Sequence, residues 1–380
     1  MADDTLDTAS GHFQPDGRPV DEQLADLRVR IDAVDQQLLS MLNQRAKLAH
    51  AVGEVKKLDG SPVFRPDREA QVIDRVKGRN PGPVLAESIA PIWREIMSAC
   101  RALESRQRVA FLGPIGTFTE QAMFNYFGSS IEPVACAGFE EIFRATEAGS
   151  TDFGVVPIEN STEGVVARTL DLLLQSPLVI AGETSLKVVH NLLRKSTSLD
   201  DITVVCAHPQ ALAQCQGWLS QHLPHVERRA VSSNAEGARL AAEDESIAAL
   251  ASERAASQFG LHVVQPAVQD EAHNRTRFFV LTHADRHMPA GPTGHDCVSL
   301  AVSVPNRPGA VHDLLVPLKQ HGVSMTRIES RPARSGQWEY IFFMDLAGHP
   351  AQDNVAAALD ELRAQCSFFK LLGSYPLDAH

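Results

Sequence analysis

The feature that most constrains this chain is an apolar seam too long for the chain to cover by itself. From Asp21 onward, Leu24, Leu27, Ile31, Val34, Leu38, Met41, Leu48, Val52 and Val55 recur at alternating steps of three and four, and the one gap in that register is Arg45. The spacing predicts a single helix of about 35 residues, roughly 50 Å long. Gly60-Ser61-Pro62 ends it. A shorter helix is expected from Pro66, with Pro in its first turn and Asp67 and Glu69 following. After the break at Asn80-Pro81-Gly82-Pro83, a third helix is expected from about Leu85 to Arg106, with Ile89, Ile92, Trp93, Ile96, Met97, Cys100 and Leu103 on one face. Two short helices cannot bury the seam of one long helix, so an intertwined helical homodimer is expected, with higher assembly left open.

The 380 residues carry 35 Lys and Arg against 47 Asp and Glu, a net charge of −12. That balance lacks the basic field nucleic-acid binding needs. No run of apolar residues is long enough for a membrane span, and the acidic start is unlike a secretory signal, so a cytoplasmic protein is expected. The cysteines (Cys100, Cys136, Cys206, Cys215, Cys297, Cys366) form no Cys-x-x-Cys pair. Free, mostly buried thiols are expected, with no metal site. Residues 1–20 read as a disordered tail. Residues 28–107 carry fourteen basic and ten acidic side chains, a cationic block in an acidic protein, which suggests an anionic ligand.

The chain reads as a multidomain protein, helical over 21–106, α/β over 108–283 and α+β over 297–376, with 284–296 as linker. Apolar strands at Val109-Ala110-Phe111-Leu112, Phe153 to Ile158, Thr203 to Cys206, Ile247 to Leu250 and Thr276 to Leu281 alternate with helical stretches. This predicts a mostly parallel sheet and two lobes with a cleft between them. The third block begins with a half-buried strand at Val298 to Val304 and a helix opening at Pro308-Gly309. A strand at Val323 to Ile328, its partner at Trp338 to Leu346, a helix at Val355 to Cys366 and a closing strand at Phe368 to Leu372 complete a ferredoxin-like βαββαβ order.

Arg45 stands at a core position of the seam, where an unpaired cation is very costly. Its counter-charge is either a structural partner (Asp32, Asp35 or Glu69) or an anionic ligand. Arg28, Arg45 and Lys56 lie 17 and 11 residues apart on one helix and cannot meet at one site unless chains interleave.

Residues 22–106 resemble the all-helical chorismate mutase domain. The resemblance rests on Leu27-Arg28, Asn43-Gln44-Arg45, Val52-Gly53-Glu54-Val55-Lys56 and Asp67-Arg68-Glu69. It implies that Arg28 from a neighbouring chain, Arg45 and Lys56 hold the carboxylates and ether oxygen of chorismate, and that Glu69 accepts from its hydroxyl. A Claisen rearrangement needs the chair conformer held and the charge developing on the ether oxygen stabilised. Lys56 supplies one donor. The second donor position, often Gln in the family, is Glu104, which donates only when protonated. Arg65 stands where the family often has Asp, and Cys100 where it can have Ser; with Arg68 they complete the expected substrate-binding set.

The second block resembles prephenate dehydratase through Gly113-Pro114-x-Gly116-Thr117-Phe118-Thr119, Pro157 to Gly164, His208-Pro209-Gln210 and Asn274-x-Thr276-Arg277-Phe278. The resemblance implies a two-lobed domain like periplasmic binding proteins, and loss of water and carbon dioxide from prephenate. It makes Thr276 the candidate donor to the departing hydroxyl. Arg277 is a candidate for a substrate carboxylate, and Thr117, Asn160, Ser161, Thr162, Gln214 and Phe278 complete the expected site. Glu159 reads equally as a cleft acid or as a capping or hinge carboxylate, His208 as a site or a loop residue, and His190 as structural. No dinucleotide fingerprint is present, and neither reaction needs a cofactor.

The third block resembles the ACT regulatory domain, through Asn306-Arg307-Pro308-Gly309-Ala310-Val311-His312 and Glu329-Ser330-Arg331-Pro332. The resemblance implies a phenylalanine pocket between two such domains, bordered by Asn306, Gly309, Ala310, Val311, Glu329 and Ser330. Two other readings remain open here: an amino-acid sensor without turnover, and a dehydratase whose helical block serves only for dimerisation.

Overall fold

The computed structural model describes residues 17–286, 291–305, 307–333 and 340–377. Residues 1–16 of the expected tail, 287–290 of the expected linker, Asn306 and Trp338 lie outside that range.

Helix α1 (Val20–Asp59) runs 40 residues. Asp21 and Glu22 at its start and Lys56 and Lys57 at its end complement the helix dipole. Gly60 closes it in the left-handed region at φ 72°, where a side chain is unfavourable. Helix α2 (Pro66–Gly78) begins on the proline. Helix α3 (Ala86–Ala102) stops before Arg106, because Leu103 and Glu104 tighten into a turn in which Glu104 N donates to Arg101 O at 2.9 Å. The seam of α1 stays uncovered: Ile31, Val34, Leu38, Met41, Leu48, Val52 and Val55 are each 52–65% exposed. Full burial of one such side chain is worth about 1.5–3 kcal/mol. Among the described residues, no helix is long and apolar enough to cross a membrane.

The α/β block forms two lobes. In the first, the strands lie in the order Glu132–Cys136, Arg108–Leu112, Phe153–Asn160, Arg275–His283, Leu178–Lys187. In the second, the order is Glu227–Ala230, Val204–Ala207, Ile247–Ala251, Asn191–Arg194, His262–Gln265. In each lobe two pairings are parallel and two antiparallel, so the expectation of a mostly parallel sheet is corrected. The reason is connectivity. The chain leaves the first lobe after Lys187 and returns after Gln265, and the strands that carry the crossings run against their neighbours.

The last block follows the expected βαββαβ order: strand Asp296–Ser303, helix Ala310–Gln320, strands Met325–Pro332 and Tyr340–Ala347, helix Asp353–Gln365, strand Phe368–Pro376. Its two helices cover one face through Val298, Leu300, Leu314, Met344, Leu346 and Leu359. The other face packs Ala301, Phe343 and Tyr375 against Leu170, Ile180 and Phe279 of the first lobe. The two sheets join edge to edge, with Gly373 opposite Ile180, into one sheet that counts ten strands with the short Gly164–Val165 paired to Phe153–Asn160. A Cβ at Gly373 would overlap the carbonyl oxygen of Ile180, so the closeness of the two strands requires glycine there.

All six cysteines are free and five are buried, as the sequence led us to expect. Burial pushes the Cys215 thiol up to about 12.

Gly373→Ala should therefore destabilise the chain by about 1–3 kcal/mol, the usual cost of forcing atoms into a packed interior. Thermal unfolding measures this, and a midpoint equal to that of the parent contradicts the tight join.

Candidate functional site

The helical block gathers one cavity of about 230 Å³ from α1, α2 and α3, lined by Arg45, Lys56, Arg65, Arg68, Arg101, Glu69, Glu104 and Cys100 among others. Five cations thus face two carboxylates, a field that favours an anion. Arg45 Nη1 donates to Cys100 Sγ at 3.0 Å, and Lys56 Nζ to the Val63 carbonyl at 3.2 Å. Arg65 is held in a fork by Asp67 at 2.9 and 2.6 Å, and Asp67 also accepts from Gly291 N at 3.2 Å. Glu69 pairs with Arg101. Burial pushes the Glu69 carboxyl up, against the opposing pull of Arg101. Glu104 Oε2 is buried without a partner among the described residues. Gly53 makes room for it: a Cβ there would fall 2.6 Å from Glu104 Cγ and Oε2.

Arg28 does not line the cavity. It lies 17 residues before Arg45 on the same helix, about 25 Å away at 1.5 Å per residue. Sequence reasoning passed over Arg101, which is buried and also stacks on Phe64 at 4.5 Å. Its signal was available, since it falls four residues after Met97 on the apolar face of α3.

A second cavity of about 380 Å³ lies between the lobes. Among the described residues, its lining contains no Lys, Arg, Asp or Glu. Helix starts supply the positive field instead. Helix α4 (Phe118–Phe127), capped by Thr117, and the ten-residue helix Asn234–Glu243, capped by Ser233, both begin on this cavity. Shorter helices begin there at His208 and Ser252. Each helix start stabilises a negative group by about 0.3–1 kcal/mol.

A directed chain of hydrogen bonds crosses the cleft floor. Asn160 Oδ1 accepts from the amides of Thr162 and Glu163, each at 3.0 Å, which turns Nδ2 toward Asn274 Oδ1 at 2.7 Å and Thr276 Oγ1 at 2.8 Å. Because Thr276 Oγ1 accepts from Asn160, its own hydrogen stays free to donate. Gln214 Oε1 accepts from Asn274 Nδ2 at 3.1 Å and lies 2.9 Å from His190 Nε2, so the His190 proton sits on Nε2. Burial holds His190 below its ordinary value, despite the Gln214 contact, and the ring is neutral at pH 7. His190 thus lies on the cleft wall rather than in a purely structural place, and His208 both lines the cleft and caps Pro209–Gln214.

Five expected cleft residues lie elsewhere. Thr276 pairs with Asn160 and Arg277 with Glu159, so the pleat turns the first pair into the cleft and the second away from it. Arg277 spends its donors on Glu183 at 2.8 and 2.7 Å, Glu159 at 2.9 Å and Asp345 at 3.2 Å, which corrects its expected role toward a substrate carboxylate. Its burial opposes the charge, but the bonds to Glu183 outweigh it and hold the guanidinium above its ordinary value. A register shift after Arg277 turns Phe278 into the core beside Phe111 and Val280. Ser161 Oγ ties its loop to Arg275 N at 2.9 Å, and Thr162 serves through its amide. Glu159 faces Arg277 and Arg327 and does not line the cleft.

In the last block, Gly309 adopts φ 82° at the start of its helix, a conformation that favours glycine. Ala310 is buried and Val311 exposed. Glu329 and Ser330 lie on Met325–Pro332, the edge strand of the sheet.

Fold and sites together define a fused enzyme with a helical isomerase, a two-lobed lyase and a regulatory module. Three families match in that order: Chorismate mutase type II over 27–105, Prephenate dehydratase over 109–286 and ACT domain over 298–364. The bifunctional chorismate mutase/prephenate dehydratase of Neisseria gonorrhoeae is 47% identical over 360 residues, 94% of this chain and 98% of that one. The enzyme of the same name from Escherichia coli (strain K12) is 32% identical over 374 residues, 92% of this chain and 95% of that one. The solved prephenate dehydratase of Arthrobacter aurescens in complex with L-Phe superposes with a TM-score of 0.65 at 33% identity, over 71% of this chain and 89% of that one. The chain belongs to the bifunctional chorismate mutase/prephenate dehydratase family. A protein described as GqqA, a novel type of quorum quenching acylase, shares the fold at a TM-score of 0.66 and 29% identity, over 72% of this chain and 99% of that one, so side chains rather than fold carry the functional argument.

Gly53→Ala should displace Glu104 and lower mutase kcat/KM by about 10²-fold, the cost of a misplacement of about 1 Å, while dehydratase activity holds. A mutase rate equal to the parent's contradicts this packing.

Proposed function

We propose that this chain converts chorismate to prephenate in its helical domain and prephenate to phenylpyruvate in its cleft. Phenylalanine inhibits it through the regulatory domain, and it works as a cytoplasmic homodimer. The domains run 21–106, 108–283 and 297–376, with 284–296 as linker. The observation that carries the reading is the convergence of Arg45, Lys56, Glu69 and Glu104 on one cationic cavity.

In the mutase step, Arg45 and Arg28 of the partner subunit hold the two carboxylates. Lys56 and Glu104 face the ether oxygen, and Glu69 takes the hydroxyl. Arg65, Arg68 and Cys100 complete the wall. The exposed seam of α1 supports delivery of Arg28 by a second copy. In the dehydratase step the ring carboxylate leaves as carbon dioxide, its electron pair restores aromaticity, and the hydroxyl departs as water after gaining one proton. Thr276 donates to that hydroxyl while Asn160 and Gln214 hold the floor, and the helix start at Thr117 takes a carboxylate. The regulatory pocket forms between two ACT domains at Gly309, Ala310, Val311, Glu329 and Ser330. The phenylalanine bound to the Arthrobacter aurescens relative supports this ligand.

Arg28→Ala and Arg45→Ala chains should each lose mutase activity by about 10²-fold or more. Mixed and allowed to exchange subunits, they should regain it, because a mixed dimer has one site with both arginines. No recovery after exchange contradicts a shared site. Glu104→Gln, whose amide is itself a donor, should sustain mutase kcat/KM at the parent's level or above, and a loss of activity rejects a donor role at this position.

A further inference from the structure

Strand Met325–Pro332 alternates between half-buried and exposed side chains, so Arg327, Glu329 and Arg331 share the inner face. Both arginines reach across to the dehydratase lobe. Arg327 Nε lies 3.0 Å from Glu159 Oε2, and its side chain is only 10% exposed. Arg331 grips Asp171 through Nε at 3.1 Å and Nη2 at 3.4 Å.

Each receiving carboxylate lies close to the cleft floor along the chain. Glu159 directly precedes Asn160, which donates to Thr276. Glu159 is also shared with Arg277, the neighbour of Thr276. Asp171 sits on helix Ala167–Gln175, which follows the loop whose Thr162 and Glu163 amides orient Asn160. That helix is fixed to the cleft strand by Thr169 Oγ1 on Pro157 O at 2.8 Å. Its far end is held by Lys370 of the regulatory domain, on the carbonyls of Leu173 at 2.7 Å and Ser176 at 2.6 Å. The cluster is not saturated: Arg327 Nη2 is buried without a partner among the described residues.

We propose that Arg327 is a positioning residue of the dehydratase cleft supplied by the regulatory domain, that Arg331 on Asp171 is the coupling contact of the same strand, and that phenylalanine acts on dehydration by reseating this strand against Glu159 and Asp171. The last part rests on the reading that Glu329 and Ser330 border the phenylalanine pocket. Coupling of this kind commonly changes the affinity of one site by about 5–150-fold when the other is occupied.

The test uses the full chain. Asp171→Asn should keep its uninhibited dehydratase rate and bind phenylalanine to saturation by calorimetry. The ratio of free to phenylalanine-saturated activity should fall by about 5-fold or more toward unity. Exchanging the charges, Asp171→Arg with Arg331→Asp, should restore inhibition that neither single change retains. Arg327→Gln should lower dehydratase kcat by about 10-fold with little change in KM, and Arg327→Lys should recover part of that loss. If Asp171→Asn is inhibited as fully as the parent at equal occupancy, or Arg327→Gln turns over like the parent, the proposed route is overturned. A parent chain that binds no phenylalanine overturns the regulatory reading itself, which is a separate result.

Discussion

The interaction on which the architecture depends is the edge-to-edge join of Gly373 and Ile180, together with the charge cluster beside it. Two sheets that meet only through side chains can slide; two sheets that continue each other are held in register. Here the join is clamped by Arg277, Arg327, Glu159, Glu183 and Asp345. Ser299 Oγ bridges Asp345 Oδ1 at 2.6 Å and Tyr375 Oη at 2.9 Å, adding neutral partners to the buried charges. Removing one member of such a buried pair typically costs about 3–5 kcal/mol, because it strands the other. The dehydratase lobe and the regulatory domain therefore share one polar interior that reaches toward the cleft.

Two anion sites in one chain are built on different physics. The helical cavity uses five side-chain cations, and Arg28 lies too far along α1 to join them within one chain. The interlobe cleft uses helix starts and neutral amides, with Asn160 oriented so that Thr276 keeps a hydrogen to donate. A cationic pocket suits a rearrangement in which charge moves onto an ether oxygen. A lining without charged side chains suits a step in which one anionic group must leave as neutral carbon dioxide.

Much of this was legible in the sequence. The three-and-four spacing from Leu24 to Val55 gave the long helix and its uncovered seam, and the ends at Gly60 and Pro66 followed from the φ demands of those residues. The βαββαβ order of the last block was equally readable from alternation. What could not be read was the side to which a motif residue points. Thr276 and Arg277 are neighbours in one motif, yet a strand sends them to opposite faces, and only the register with Asn160 and Glu159 decides which faces the cleft. The antiparallel half of each lobe was hidden for a similar reason, since strands such as Leu178–Lys187 owe their direction to a crossing between lobes rather than to local pattern. His190 looked structural because its sequence neighbours are apolar; its place on the cleft wall comes from Gln214 and Phe118, both distant along the chain.

The most direct measurement follows chorismate disappearance and phenylpyruvate appearance in one purified sample, with and without phenylalanine. Both should proceed, and phenylalanine should suppress phenylpyruvate formation. Consumption of prephenate with chorismate untouched would contradict the mutase assignment and leave the helical domain a dimerisation device. Phenylalanine binding with neither turnover would make the chain a sensor and contradict the account as a whole.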